Sequence, residues 1–382
     1  MPMTRRAVAI LAGVAWLGGW LAASSPAWAA DAIKIGMIAP LTGPGAFSGQ
    51  LQSNGAKLAV AEVNKAGGVL GRLIELVIED DQTTNPGAVL AFSKLAGDPD
   101  IPAFLGPIRS TQVHAIAPDV LKLGKPVMFG GTDPVLTHMG NPWLFRFRPN
   151  DTYSARVIAD FGTTTLGKKK WAIVHSTDAF GTSGMKYLTE ALKGLGLTPV
   201  LIQGYSNNSQ DFTPVALALK QSGAEVMGSY MTFEPDVGIL AKQIRQLGVD
   251  IAWVGSPSNA TTNALKLAGP ALYGTFAVAD FNRDAAPAAK DFATKYEAAY
   301  KVAPDIFASW AYDAVHVLAI AINNAKSTEP DKIRAAILAV DGYQGAEGTY
   351  RFDKNGDGLH GYNIIKNDNG TISFDKHIDF KD

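Results

Sequence analysis

The stretch Phe104-Leu-Gly-Pro-Ile-Arg-Ser-Thr-Gln112 sets a hydroxyl directly after a glycine-proline turn. Pro102–Leu105 is a short apolar run of the kind found in strands covered on both faces. Ser110 has the short polar side chain that opens helices. The free amides of a helix start, together with its dipole, attract an anion such as a carboxylate. A helix cap with no further role is the plainer reading of one isolated serine, so the rest of the chain has to decide between the two.

Other chemistries find little support. No G-x-S-x-G, H-E-x-x-H or G-x-x-x-x-G-K-[S/T] pattern occurs. With no cysteine, thiol chemistry is excluded. The histidines at 114, 138, 175, 316, 360 and 377 are scattered without metal-ligand spacing. Asp353–Gly358 matches the start of a calcium loop, but Ile364 stands where the closing glutamate would be, so a turn is expected there. Gly43–Gly49 is glycine-rich but lacks a phosphate-loop lysine. No pair of titratable groups assembles into an acid-base set. From these motifs no enzyme activity, cofactor or metal is expected.

Composition sets the frame for such a site. Of the 382 residues, 1–30 read as a signal peptide: Arg5-Arg6, an apolar run Ala7–Ala23, and cleavage near Ala29 or Ala30. Its removal leaves 32 basic residues of the 34 against 35 acidic ones, a mature net charge of about −3 and no nucleic-acid footprint. The paired arginines fit twin-arginine export and the general secretory route alike. The roughly 350 remaining residues exceed one core's usual size, which points to two domains. No later run reaches the ~18 uncharged apolar residues of a membrane span.

The mature chain alternates strands and helices twice. Strands are expected at Ile33–Ala39, Leu73–Ile78, Pro102–Leu105 and Lys125–Phe129, with helices over 50–66, from Asn85-Pro86, and from Ser110. After Arg146-Phe-Arg-Pro149 the rhythm restarts. Strands fall at 171–175, 200–205, 226–231, 251–255 and 273–279, with helices at 183–194, 213–222, 235–247 and 259–268. This predicts α/β domains, each a mostly parallel sheet flanked by helices. Helical patterns at 285–300, 305–325 and 330–339 are too many for the second sheet, so the chain is expected to cross back near Phe281–Arg283. Three short strands after Gly348, split by Asn355-Gly356 and Asn369-Gly370, are expected to rejoin the second domain.

Several runs together are very similar to one known family. They are Ile35–Pro44, Gly49, Asn54-Gly55, Val63–Gly71, Asp80-Asp81-Gln82-Thr83, Phe129–Thr132 and Ala308–Ala314. In this order and spacing they resemble the branched-chain amino-acid (Leu/Ile/Val) type periplasmic solute-binding proteins of ABC transporters, over essentially the whole mature chain. The resemblance implies a two-lobed type I periplasmic-binding-protein fold. One lobe would comprise 31–149 and 281–348, the other 150–280 and 349–382, with the solute between them. It implies a periplasmic monomer that closes over a small solute and delivers it to a membrane permease and ATPase, or else a ligand-sensing regulatory subunit of the same fold.

The resemblance also assigns site residues. The carboxylate grip of the first lobe falls on Ser110 and Gly130-Gly131-Thr132, with Arg109 beside it as a further candidate. The first-loop aromatic aligns at Ser48, with Phe47 one position early. Second-lobe aromatics fall on Phe180 and near Phe233, with Tyr230 as its alternative. The acid that family members use for the ligand's ammonium aligns at Pro257. Either the solute lacks an α-ammonium, as an aromatic or aliphatic carboxylate does, or Asp178, Glu234 or Asp236 replaces the missing acid. The first alternative is preferred.

Overall fold

A computed structural model describes residues 32–380; the expected signal peptide lies outside them. The first sheet is built from alternating elements: β1 (Ile33–Ala39), α1 (Ala46–Lys65), β2 (Ile74–Asp80), α2 (Asn85–Ala96), β3 (Phe104–Leu105), α3 (Ser110–Leu123), β4 (Val127–Phe129), α4 (Val135–His138) and β5 (Leu144–Arg146). The chain then enters the second sheet through α5 (Asp151–Asp160), β6 (Trp171–Ser176), α6 (Ala179–Gly194), β7 (Leu201–Tyr205), α7 (Thr213–Ser222), β8 (Val226–Tyr230), α8 (Glu234–Gln246), β9 (Ala252–Gly255), α9 (Thr262–Ala268) and β10 (Phe276–Ala279). The tail adds α10 (Pro287–Tyr300), α11 (Ile306–Ala325), α12 (Pro330–Leu338), β11 (Asp341–Gln344), β12 (Thr349–Arg351), β13 (Gly361–Asp368) and β14 (Thr371–Asp379).

The first sheet runs β2-β1-β3-β4-β5, all parallel. The second runs β14-β13-β10-β9-β8-β6-β7; β7 to β10 are parallel, and β13 and β14 are antiparallel additions. Strands such as β6 are buried along their whole length, as expected for sheets covered on both faces. In each sheet the strand order reverses once, between β1 and β3 and between β6 and β8. Loops at the carboxyl ends of strands on either side of such a switch leave a crevice between them.

The tail returns to the first sheet as expected. Ile33, Leu51, Phe292, Trp310 and Ile333 share one apolar core. By length and composition α11 could cross a membrane, yet 83% of its most apolar window is buried in this core. Four elements escape the sequence reading: α4, β5, α5 with its wider closing turn at Phe161–Thr165, and β11. The expectation for the tail strands needs correction. The Asn369-Gly370 turn does join β13 to β14 as a hairpin, but β12 pairs with β11 rather than with the second sheet. The reason lies at Asn355-Gly356, whose turn docks on β5. The Arg146 amide donates to Gly356 O at 2.8 Å, and the Gly358 amide donates to Arg146 O at 3.1 Å.

The crossing of α1 and α11 places the start of α11 at the crevice. A Cβ on residue 55 would lie 2.0 Å from the Ala308 carbonyl oxygen, so only glycine allows these backbones to approach. Gly55→Ala should therefore destabilise the protein by about 1–3 kcal/mol through overpacking. Alanine elsewhere in a helix interior would instead stabilise by about 1 kcal/mol. Urea unfolding checks the sign; a variant as stable as the parent would mean that the helices separate there without cost.

Candidate ligand-binding cleft

Arg109, not Ser110, occupies the cap position of α3 (φ −106, ψ 139) and makes no side-chain cap bond. Ser110 is the first helical residue, which corrects the reading of it as a simple cap. Its Oγ accepts from the amides of Thr132 and Asp133, each at 3.1 Å. Those two bonds occupy the oxygen's acceptor sites and leave its proton to be donated. The loop can lie this close because residue 131 is glycine: a Cβ there would come within 3.0 Å of Ser110 Cα. Thr132 Oγ1 is buried and makes no bond of good hydrogen-bond geometry, but it lies near enough to the buried Asp151 carboxylate to offset part of the rise that burial imposes on that group's pKa.

Two buried arginines orient the same loop from behind. Arg146 donates to the carbonyls of Gly131, Asp133 and Pro134, to Thr137 Oγ1, and to Asp357 Oδ1 at 2.6 Å. Arg148 pairs with Asp280 and donates to Gly130 O at 3.2 Å. The carbonyls of the loop thus face guanidinium groups. Burial pulls the Arg148 pKa down, but Asp280 outweighs it and the group is held above its usual range. Asp357 is the turn carboxylate of the calcium-loop-like segment, and it is committed to Arg146.

These residues and the opposite lobe line a small cavity of about 30 Å³. Arg109, Ser110, Gly130, Gly131, Thr132 and Arg148 form its polar wall. Phe180, Thr232 and Ser258 come from the second lobe, and Ile108, Ile306 and Phe307 complete it. No carboxylate stands among these wall residues. The Arg109 guanidinium reaches Ser48 Oγ at 3.1 Å and lies 4.9 Å from the centre of the Phe233 ring, while its Nη1 is buried and unpartnered. Burial lowers its pKa, against the fields of Glu234, Asp81 and Asp178.

Direct contacts hold the two lobes together. The Ala179 amide donates to Thr111 Oγ1 at 3.3 Å, and Ser183 Oγ donates to Asp133 Oδ1 at 3.2 Å. The Thr262 amide donates to Asp305 Oδ2 at 3.0 Å. Burial lifts the Asp305 carboxyl to about 7, in spite of the two amides that it accepts from.

Several expected site residues stand elsewhere. Phe47 is 37% exposed and off the cavity wall; α1 already begins at Ala46, and this turns the ring outward. Ser48 is buried but anchors Arg109 and Gly45 O instead of facing the cavity. Tyr230 lies in the second lobe's core behind Phe180, with its hydroxyl 2.8 Å from Ser154 Oγ. Phe233 is a platform for Arg109 rather than a wall. Pro257 opens a tight turn that presents Ser258 to the cavity. Asp178 caps α6 and accepts from Ser176, Gly181, Asn207 and Thr232. Asp236 accepts from the Asn208 amide. Glu234 is buried with both carboxylate oxygens unpartnered, and burial raises its pKa against the pull of Arg109. None of these acids lines the cavity.

The sequence reading missed Arg148, Thr232, Ser258, Ile108, Ile306 and Phe307. Of these, Arg148 carried a signal: an arginine two residues after another in an apolar crossing has to be paired if buried.

The roles of Ser110 and Thr132 differ, and stability measurements separate them. Ser110→Ala strands two buried amides and should cost about 2 kcal/mol without any ligand. Thr132→Val gives up only the weak side-chain contact with Asp151 and should cost less than Ser110→Ala, about 1 kcal/mol or below. Denaturant unfolding of both variants tests this; the reverse order would contradict the geometry.

A family model described as periplasmic binding protein matches residues 32–371. A Leu/Ile/Val-binding protein homolog of Brucella melitensis is 31% identical over 345 residues, which cover 89% of this chain and 92% of the relative. The branched-chain amino acid transporter substrate-binding protein of Streptococcus pneumoniae, solved with isoleucine, superposes with a TM-score of 0.84 at 24% identity, covering 91% of this chain and 99% of that one. An ABC-transporter solute-binding protein of Rhodopseudomonas palustris, solved with 3,4-dihydroxybenzoic acid, gives 0.83 at 20% identity, covering 91% and 97%. At these identities the two structures speak to the fold. The α/β architecture, the ordered motifs and the family match agree: the chain belongs to the periplasmic binding proteins of the branched-chain amino-acid (Leu/Ile/Val) type.

Proposed function

We propose that this chain is the periplasmic substrate-binding subunit of an ABC importer and that its solute is a small carboxylate without an α-ammonium. The observation that carries the reading is the wall chemistry: two guanidinium groups and several hydroxyls, with no carboxylate among the wall residues. An ammonium brought into this cavity would lose its hydration without gaining an anionic partner, at a cost of several kcal/mol. A carboxylate would find Ser110 Oγ–H, the hydroxyl of Thr132, and the unpartnered Arg109 Nη1. The ring of Phe180 and the side chains of Ile108, Ile306 and Phe307 suit an aromatic or aliphatic body.

The lobes are taken as residues 32–149 with 281–358, and 150–280 with 359–380, because the 353–358 turn stays on β5. The solute bridges them: the first lobe supplies donors to its carboxylate, and Phe180, Thr232 and Ser258 of the second cover it. A solute that changes the closed fraction from 1% to 99% must favour the closed form by about 5.5 kcal/mol. Charge-assisted hydrogen bonds at about 1.5–3 kcal/mol each, with one buried ring, are sufficient. The exported closed form then docks on the membrane permease, whose ATPase drives transport.

Thermal-shift measurements on the mature protein test the reading. Benzoate, 3,4-dihydroxybenzoate and short alkanoates form one arm; leucine, isoleucine and valine form the other. Stabilisation by one or more of the acids is expected. Stabilisation by the amino acids alone would contradict it. For a bound acid, Thr132→Val should weaken calorimetric affinity by about 1–2 kcal/mol through the lost hydroxyl donor.

A further inference from the structure

Ile306, the first residue of α11, is only 2% exposed and has open space on two sides. On one side is the small solute cavity of about 30 Å³, which it lines beside Phe307. On the other is a larger pocket of about 250 Å³, which it lines together with Leu265, Phe281, Ala293, Ile365 and Ile372. That pocket also lies between the lobes: Leu265 belongs to α9, Ile365 to β13, Ile372 to β14, and Ala293 to α10. Its outer edge carries the Arg283–Glu297 ion pair at 2.7 Å. Next to Ile306, the bond from the Thr262 amide to Asp305 closes the rest of the gap. Ile306 is thus the side chain that the solute cavity and a mostly apolar chamber have in common.

We propose that Ile306 is the residue that sets the solute's maximum length, and that the chamber behind it is a latent pocket for the tail of a longer-chain carboxylate. This rests on the carboxylate reading above. With its acid group at Ser110 and Thr132, a short acid fills the small cavity and stops at Ile306. A longer chain has nowhere to go while Ile306 is in place. Trimming Ile306 joins the two spaces, and the tail then leaves water for apolar surroundings. Each methylene so buried is worth roughly four-fold in affinity.

Calorimetric titration of the mature chain with butanoate and with octanoate tests this. The readout is the ratio of octanoate to butanoate affinity. In the parent the ratio should be about one or less, and Ile306→Ala should raise it at least ten-fold. Adding Leu265→Trp, which fills the chamber, should return it towards the parent value. Ile306→Val removes a single methyl and should raise the ratio by a smaller factor, so the test stands even if the alanine variant folds poorly. An unchanged ratio in folded Ile306 variants that still bind butanoate overturns this inference alone. So does a parent that already prefers octanoate by the full methylene increment. Failure of the parent to bind any carboxylate overturns the carboxylate reading and this inference with it.

Discussion

The cleft depends on the burial of two arginines, Arg146 and Arg148, where the chain leaves the first sheet. A guanidinium out of water is tolerated only when its donors are matched. Arg146 is matched by Asp357 and by carbonyls of the Gly131–Pro134 segment, and Arg148 by Asp280 and the Gly130 carbonyl. This requirement orients the loop. With the carbonyls of Gly130, Gly131, Asp133 and Pro134 drawn to cations, the Thr132 and Asp133 amides meet Ser110 Oγ, and the cavity receives donors from a segment that would otherwise be a plain turn. The same arginines tie the anion-binding loop to Asp280 at the end of β10 and to Asp357 in the 353–358 turn, close to where the chain passes between lobes. Site geometry and hinge are thereby one network.

Closure adds little binding energy of its own. Away from the crossings, where the Arg148–Asp280 pair joins them, the contacts between lobes are a few hydrogen bonds, among them those to the carboxylates of Asp133 and Asp305, and the Arg109–Phe233 stack. Each contributes on the order of 1–2 kcal/mol. They set against this the burial of Arg109 with an unpartnered Nη1 and of Glu234 with both oxygens unpartnered. Such a balance suits a protein that closes when its solute arrives, since an anion placed against Arg109 removes part of the penalty.

The sequence reading reached the fold and part of the site because those features are local. Strand–turn–helix junctions put Ser110, Thr132 and Phe180 at carboxyl ends of strands, where crevices form. What it missed depends on distant residues. Arg148 acquires its role from Asp280, far along the chain. Ile306 and Phe307 reach the cavity only because Gly55 lets α11 cross α1 closely. Tyr230 and Pro257 illustrate a different limit: at the end of a strand or in a tight turn, one residue's difference decides which face a side chain takes. Tyr230 therefore packs in the core, while Ser258, the neighbour of Pro257, faces the solute. Phe47 turns outward because α1 begins at Ala46, ahead of Gly49, in a stretch whose glycines read as loop.

The central claim is that the cavity accepts a carboxylate and rejects an ammonium, and a matched pair of ligands isolates that difference. Leucine and 4-methylpentanoate have the same carbon skeleton and carboxylate and differ only in the α-ammonium group. Calorimetric titration of the ligand-stripped mature protein with each compares them directly. The account predicts that 4-methylpentanoate binds more tightly by at least about ten-fold, the factor given by 1.4 kcal/mol. Tighter binding of leucine would contradict it and would make an acid such as Glu234 the ammonium's partner.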